Sequence, residues 1–207
     1  MKLLYSSSSP FVRKVTLVAQ ALGLEGRIER LPSAANPLKR DPRITAHNPL
    51  GKVPCLITDD GLAVIDSKVI VEYLCAMAPD DRVLPRQGAE RWIALRQQAI
   101  ADGAIEAAVG LRYEEAVRPA DRRWAEWGDG LMSKIDAALL VLEQEFVPPR
   151  AEGVLGVGTL AAVALLGYLD FRFADRQWRK ERPALAAAYE LVLKREDVRA
   201  SEQFVAT

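Results

Sequence analysis

The sequence has one histidine and two cysteines among 207 residues, which is little material for a metal site or a disulfide framework. His47 has no partner at metal-ligand spacing, so we expect no metal there and place this side chain at the surface or at the rim of a ligand site. Cys55 and Cys75 lie within apolar patterns, which favours buried free thiols in a reducing cytoplasm.

The sequence also lacks an excess of charge of one sign and any long apolar run. Basic and acidic side chains number 28 each, so nothing favours nucleic acid or an anionic membrane as a partner. No apolar stretch is long enough to span a bilayer, and no secretory signal follows Met1. We expect a cytoplasmic globular protein with neither a membrane nor a nucleic acid as its partner.

Residues 1–78 alternate between strand-like and helix-like patterns. The patterns predict a strand at 3–5, a helix at 10–22, a strand at 27–31, a loop with one short helix at 32–49, strands at 53–58 and 62–65, and a helix at 67–77. Asp59-Asp60-Gly61 between the last two strands is a hairpin signal. This order predicts a small mixed sheet covered by helices.

Beyond residue 78 the sequence predicts no further strand. Residues 79–87 contain Pro79 and Pro85 among charged residues and predict a linker. The helical patterns after it cover 88–118, 119–146, 159–173 and 183–194. We therefore expect two domains, 1–78 and 88–207, joined by the linker 79–87.

The stretch 48–56, Asn-Pro-Leu-Gly-Lys-Val-Pro-Cys-Leu, is the most informative motif. A proline beside a strand removes a ladder donor, so it fits only an edge, a strand start or a bulge, and the Val53–Pro54 bond is of the kind that can be cis. Asp66-Ser67 then starts a helix, whose N-terminus suits an anion. The combination predicts an edge that binds a peptide-like ligand.

Four motifs, in order, resemble the cytosolic glutathione S-transferase family. They are the serine-rich start at 6–15, the loop at 48–56, Asp66-Ser67, and Gly-Tyr-Leu-Asp-Phe-Arg at 167–172. The resemblance implies an N-terminal thioredoxin-like domain with the order βαβ-α-ββα and a C-terminal all-helical domain. It also implies glutathione as co-substrate, a small-molecule electrophile bound by the helical domain, and a homodimer. The start is most similar to bacterial members that use a serine.

The resemblance places the catalytic hydroxyl at Ser9, next to Pro10-Phe11, where it would donate to the glutathione thiolate. Ser followed by Pro is also an ordinary helix start, and the two roles are compatible because a capping hydroxyl keeps its own proton. Ser7 and Ser8 stay open as alternative donors. Tyr5 could substitute, but its place in a strand favours a core role.

The resemblance also implies the residues that bind glutathione, which are Lys39, Lys52, Val53, Pro54, Asp66 and Ser67. The backbone of Val53 would pair with the cysteinyl unit in the manner of an added strand. Asp66 would meet the ligand's ammonium group and Ser67 its γ-glutamyl carboxylate, whereas the lysines would meet the glycyl carboxylate. The family more commonly has glutamate in place of Asp66.

Three arginine or tyrosine side chains and one helix start are further features of interest. Arg13 fits either the site, the domain interface or a solvated face, and Arg112 and Tyr113 lie where this fold builds its electrophile pocket. Members of the family usually start the buried helix near 159 with Ser or Thr and an acid three residues later. Ala162 replaces that acid, which predicts a stability gain for Ala162→Asp.

Two classes of function remain open. The chain is expected to be a glutathione transferase that attacks hydrophobic electrophiles or peroxides, or an isomerase or dehalogenase of the same architecture. The alternative is a non-catalytic module of this fold that binds proteins. Retention of glutathione discriminates between the two classes.

Overall fold

The protein is described from a computed structural model that covers residues 1–35, 37–146 and 153–201. Its N-terminal half is built on a four-stranded sheet with the order β2-β1-β3-β4. The strands are Lys2–Tyr5 (β1), Glu29–Pro32 (β2), Cys55–Ile57 (β3) and Ala63–Val64 (β4). β1 is parallel to β2 and antiparallel to β3, and β3 is antiparallel to β4. The predicted mixed sheet and the hairpin are confirmed.

The helices of this half are those that the patterns predicted. They are Pro10–Ala21 (α1), Pro42–Thr45 (α2) and Ser67–Met77 (α3). The parallel pairing of β1 with β2 requires the crossover that α1 supplies, and α1 and α3 pack against each other. The result is a thioredoxin-like βαβ-α-ββα arrangement, as expected.

The rest of the described chain is helical. The helices are Ala89–Ala116 (α4), Ala125–Glu145 (α5), Val157–Arg172 (α6), Trp178–Glu181 (α7), Pro183–Leu193 (α8) and Glu196–Arg199 (α9). α6 lies at the centre, packed against α4 and α1, and its residues from Leu160 to Leu166 are all buried. One large hydrophobic cluster spans both halves, which keeps α1 in fixed contact with the helical part.

No helix in the described ranges is by itself long and apolar enough to cross a membrane. α6 passes such a test only together with the segment Ala174–Glu181, across a bend of 95°.

The predicted start of α6 is wrong. The helix begins at Val157 with Gly156 as its N-cap, so Thr159 already has a helical conformation. A helical N–H at 159 points toward the N-terminus, away from residue 162, and a capping box cannot form. Ala162 is also fully buried, where an unpaired carboxylate is costly. The expected stability gain for Ala162→Asp therefore loses its physical basis.

Smaller differences concern the ends of elements. β3 starts at Cys55 rather than at Val53, so Val53 and Pro54 precede the sheet. The short helices α7 and α9 were not predicted, because four residues are too few to show a helical period. The pattern at 119–146 splits into a single helical turn, Ala120–Arg122, and α5.

Candidate functional site

The sheet register brings three predicted segments to one end of the sheet. Leu4 pairs with Cys55, so Val53 and Pro54 lie beside the end of β1, where the serine loop begins. Leu56 pairs with Val64, and because β3 and β4 are antiparallel, the residues after Val64 return to the same end. The serine loop, the proline loop and the start of α3 therefore meet there.

Ser9 is the N-cap of α1. Its Oγ accepts a hydrogen bond from the Val12 N–H at 3.3 Å, and Pro10 occupies the first helical position. Accepting this bond leaves the Ser9 hydroxyl proton available for a second acceptor. Its place at a helix N-terminus adds a positive partial charge that favours a nearby anion.

The other hydroxyls of the loop differ in their surroundings. The Oγ atoms of Ser6 and Ser8 lie 3.0 Å apart and form a hydrogen bond with each other. Ser7 is half-buried, and Tyr5 is half-buried at the end of β1. Ser9 is thus the hydroxyl of this loop that caps the helix, and Ser8 already shares its hydroxyl with a neighbour.

The side chain of Asn48 stabilises the proline loop, residues 48–54, through two hydrogen bonds. Its side chain is buried, its Nδ2 donates to the Lys52 carbonyl at 2.8 Å and its Oδ1 accepts from the Leu50 N–H at 3.0 Å. Gly51 within this loop has φ +67°, a conformation that glycine adopts without steric cost. The Val53–Pro54 peptide bond is cis, the form that an X–Pro bond allows.

Asp66 and Ser67 form the start of α3. Asp66 caps the helix, and its Oδ1 accepts from the Lys68 N–H at 2.9 Å. The carboxylate is exposed and Ser67 is buried. The Ile65–Asp66 peptide bond is also cis. The helix N-terminus and the exposed carboxylate thus lie side by side, suited to the carboxylate and the ammonium of an amino acid respectively.

Three further residues considered for the site, two lysines and a histidine, are at the protein surface. The side chains of Lys39, Lys52 and His47 are exposed. The structure places Lys52 directly before Val53 and Lys39 in the loop that precedes α2. Both side chains lie outside the core, and lysine is a flexible side-chain type that can reach toward an anion.

A buried ion pair between α1 and α4 was missed by the sequence analysis. The Nζ of Lys14 lies 2.7 Å from each carboxylate oxygen of Asp102, and both side chains are completely buried. Burial lowers the pKa of Lys14, and the charge and hydrogen bonds of Asp102 act in the opposite direction. The available signal was that Lys14 lies three residues after Phe11 and four before Val18, on the apolar stripe of α1.

Arg13 also joins the two halves rather than facing solvent. It is buried, and its guanidinium donates to the Ser201 carbonyl at 3.3 Å. Of the three possibilities left open, the structure favours the domain interface. Together with Lys14 it makes α1 the element that connects the candidate site to the helical part.

Both cysteines are free thiols. Cys55 is buried and Cys75 is half-buried. Burial raises the pKa of Cys75 to about 12 and raises the pKa of the Cys55 thiol as well, so neither is an activated nucleophile. In the described part of the chain no three His, Cys, Asp or Glu side chains lie together as a metal site would require.

Comparisons with known proteins extend over the whole chain. A family model described as the N-terminal domain of glutathione S-transferase matches residues 8–77. Over 204 residues the chain is 33% identical to a protein of Escherichia coli (strain K12) described as the uncharacterized GST-like protein YibF, and the match covers 98% of each chain.

Solved structures agree with this match. A glutathione transferase family member from Pseudomonas fluorescens Pf-5, with bound glutathione, is 36% identical, covers 99% of each chain and has a TM-score of 0.91. Another structure of that protein contains S-(propanoic acid)-glutathione; it is 35% identical, covers 99% of this chain and 100% of that chain, and has a TM-score of 0.87.

Proposed function

Because this chain belongs to the glutathione S-transferase family, we propose that it binds glutathione and stabilises its thiolate for attack on electrophiles. The observation that carries the proposal is the meeting of the serine loop, the cis-proline loop and the start of α3 at one end of the sheet. The glutathione bound to the Pseudomonas fluorescens relative supports the same ligand here.

The proposed chemistry needs only a modest electrostatic effect. A thiol has a pKa of roughly 8.5, so about 3% is ionised at pH 7. Lowering this pKa by about two units requires roughly 2.7 kcal/mol of anion stabilisation. A hydroxyl at a helix N-terminus can supply interactions of that size, and Ser9 is the residue to which we assign this role.

The remaining roles are those that the family resemblance implies, and the positions of the groups support them. The backbone of Val53, shaped by cis-Pro54, pairs with the cysteinyl unit of glutathione. Asp66 binds the ammonium group and Ser67, at the helix N-terminus, binds the γ-glutamyl carboxylate. The two exposed lysines of this end, Lys39 and Lys52, bind the glycyl carboxylate.

Calorimetric titration with glutathione tests the proposal. The wild-type protein is expected to bind the tripeptide, and Asp66→Asn to bind it about 10-fold more weakly, since one charge-assisted hydrogen bond is lost. Asparagine is as good an N-cap as aspartate, so α3 should keep its stability. Asp81→Asn, an exposed aspartate in the linker, removes the same charge elsewhere and should bind like wild type.

Two results would contradict this assignment. No heat of binding for the wild type would favour the non-catalytic module of the same fold. Equal affinity of wild type and Asp66→Asn would place the ammonium group elsewhere.

We further propose a homodimer that uses α3 and α4. Val69 on α3 and Trp92 and Ile93 on α4 are large apolar side chains with about half or more of their surface exposed, and exposed apolar surface of this kind marks interaction sites. In sedimentation velocity we expect a species of twice the 22.8 kDa chain mass. A single species of one chain mass would contradict the dimer.

The proposed location is the cytoplasm, where reduced glutathione is abundant.

A further inference from the structure

Arg112 near the end of α4 and Arg172 at the end of α6 lie close enough to interact, and no ion pair with a described acidic residue is formed by either. Arg172 is the last residue of α6, and its guanidinium carbon lies 3.9 Å from the centre of the Phe171 ring. Its Nε is buried and donates no hydrogen bond. Burial lowers the pKa of Arg172, and the positive charge of Arg112 lowers it further, whereas Tyr168 raises it.

Three carboxylates close in sequence to the two arginines, Glu114, Glu115 and Asp170, are engaged with other groups. Glu114 accepts from Arg118 and from the Trp124 N–H, both at 2.7 Å. Glu115 pairs with Arg176 at 2.8 Å. Asp170 binds the side chains of Trp178 and Arg179. Within the described ranges, neither Arg112 nor Arg172 forms an ion pair.

The helix ends themselves offset only part of this charge. The C-terminus of a helix carries a partial charge of about −0.5, so two such ends do not balance two guanidinium groups. Tyr168 is buried, and burial raises the pKa of its hydroxyl, so it is neutral at physiological pH and does not balance the charge of Arg172. The site has positive charge and unused donors, which is the pattern of an anion site.

The position of this cluster relates it to the candidate glutathione site. Asp102, Glu106, Val109 and Tyr113 share one face of α4. Asp102 contacts Lys14 of α1. A carboxylate oxygen of Glu106 lies 3.8 Å from the amino group of Lys68, the residue that follows Ser67. Tyr113 follows Glu106 by about 10 Å along the helix axis. The face that borders the N-terminal part therefore continues to Tyr113, and Arg112 precedes Tyr113 by one residue.

α6 brings Arg172 to the same place. α4 and α6 pack along their lengths, with Gly158 against Gln97 near their starts. Tyr168 and Arg172 near the end of α6 are within electrostatic range of Arg112, and Tyr168 is within that range of Tyr113. The pair thus lies near the C-terminal ends of α4 and α6, with one tyrosine from each helix, Tyr113 and Tyr168, beside it.

We propose that Arg112 and Arg172 bind a carboxylate of the electrophile, so that the preferred acceptor is an anionic rather than a neutral molecule. The inference rests on the proposed transferase function and specifies its substrate class. Two guanidinium groups would hold the acceptor by its carboxylate, while its electrophilic carbon faces the glutathione sulfur.

The test uses a matched pair of acceptors, 4-chloro-3-nitrobenzoate and its neutral amide, 4-chloro-3-nitrobenzamide. In each reaction the glutathione thiolate, its proton already lost to solvent, forms a bond to the chlorine-bearing carbon. An electron pair moves onto the nitro-substituted ring and then expels chloride, which leaves with the electrons of its bond. Each kcat/KM is divided by the uncatalysed rate constant, which removes the intrinsic difference in reactivity.

We expect the normalised kcat/KM of the wild type to be at least about 10-fold higher for the benzoate than for the amide. Arg112→Met and Arg172→Met should each remove most of this preference through KM, with little change for the amide, and Arg172→Lys should restore part of it. Arg122→Met is the control, because this exposed arginine lies in the turn after α4 and its loss changes net charge equally.

The outcomes distinguish a failure of the carboxylate site from a failure of the transferase function. Equal normalised rates for the two acceptors in the wild type overturn the carboxylate site and leave the transferase function standing, whatever the variants do. Conjugation of neither acceptor, together with no binding of glutathione in the calorimeter, overturns both. An equal loss of benzoate preference in Arg122→Met would also overturn the site, since net charge would then explain it.

Discussion

Asp102→Ala is expected to lower the free energy of unfolding by about 3–5 kcal/mol, since it leaves the buried ammonium group of Lys14 without a partner. Both side chains are completely buried and the two contacts are 2.7 Å long, so the variant loses two short charge-assisted hydrogen bonds inside the core. Lys14→Met should be costly for the corresponding reason. Urea denaturation followed by circular dichroism measures these differences.

The control and the double variant make this prediction specific. Glu106→Ala removes an exposed carboxylate one turn further along α4, whose contact with Lys68 is 3.8 Å long, and should cost about 0–1 kcal/mol. Lys14→Met/Asp102→Leu replaces the whole pair with apolar side chains and should recover most of the loss. If the double variant were as unstable as the sum of the single ones, an unpaired buried charge would not be the cause.

Ser9→Ala is expected to raise the pKa of bound glutathione by about two units if the Ser9 hydroxyl stabilises the thiolate. Conjugation of chlorodinitrobenzene at pH 7 should then fall by about 3- to 30-fold, because the smaller thiolate fraction is partly offset by its greater nucleophilicity. Above pH 9.5 the variant should equal or exceed the wild type. The pH dependence of kcat/KM measures this crossover.

The role of Ser9 as N-cap has to be separated from its role toward the sulfur. Loss of the cap alone costs about 1 kcal/mol of stability but does not move the pH profile. Ser9→Thr keeps the hydroxyl and should behave like the wild type, as should Ser7→Ala and Ser8→Ala. A pH profile that moves in Ser7→Ala and not in Ser9→Ala would transfer the role to Ser7.

Local signals were sufficient for the elements that carry the candidate site. Both ends of α3, Ser67 and Met77, were predicted correctly, because the capping residue Asp66 precedes the helix and Pro79 follows it. The hairpin around Gly61 was predicted because turn residues stand between two apolar alternations, and that glycine has φ +89°. The roles assigned to Ser9, Asp66 and the lysines stay predictions, since they depend on a ligand.

The features that sequence could not give depend on distant partners. Lys14 and Asp102 are 88 residues apart, and a lysine on an apolar stripe does not reveal which acid it meets. Ala162 was misjudged because family spacing placed the helix start at Thr159, whereas the chain enters the helix earlier, where the Val157 N–H donates to the Val83 carbonyl at 2.7 Å. Tertiary contact with the linker decides that boundary.

The distribution of indole rings has an optical consequence. All four tryptophans lie between residues 92 and 178; Trp178 is buried, and Trp124 and Trp127 stack at the surface with ring centres 6.3 Å apart. Tryptophan fluorescence, excited selectively, therefore samples only the all-helical part and is dominated by solvated emitters. Loosening of the sheet, or departure of a tripeptide from its end, would leave that spectrum nearly unchanged.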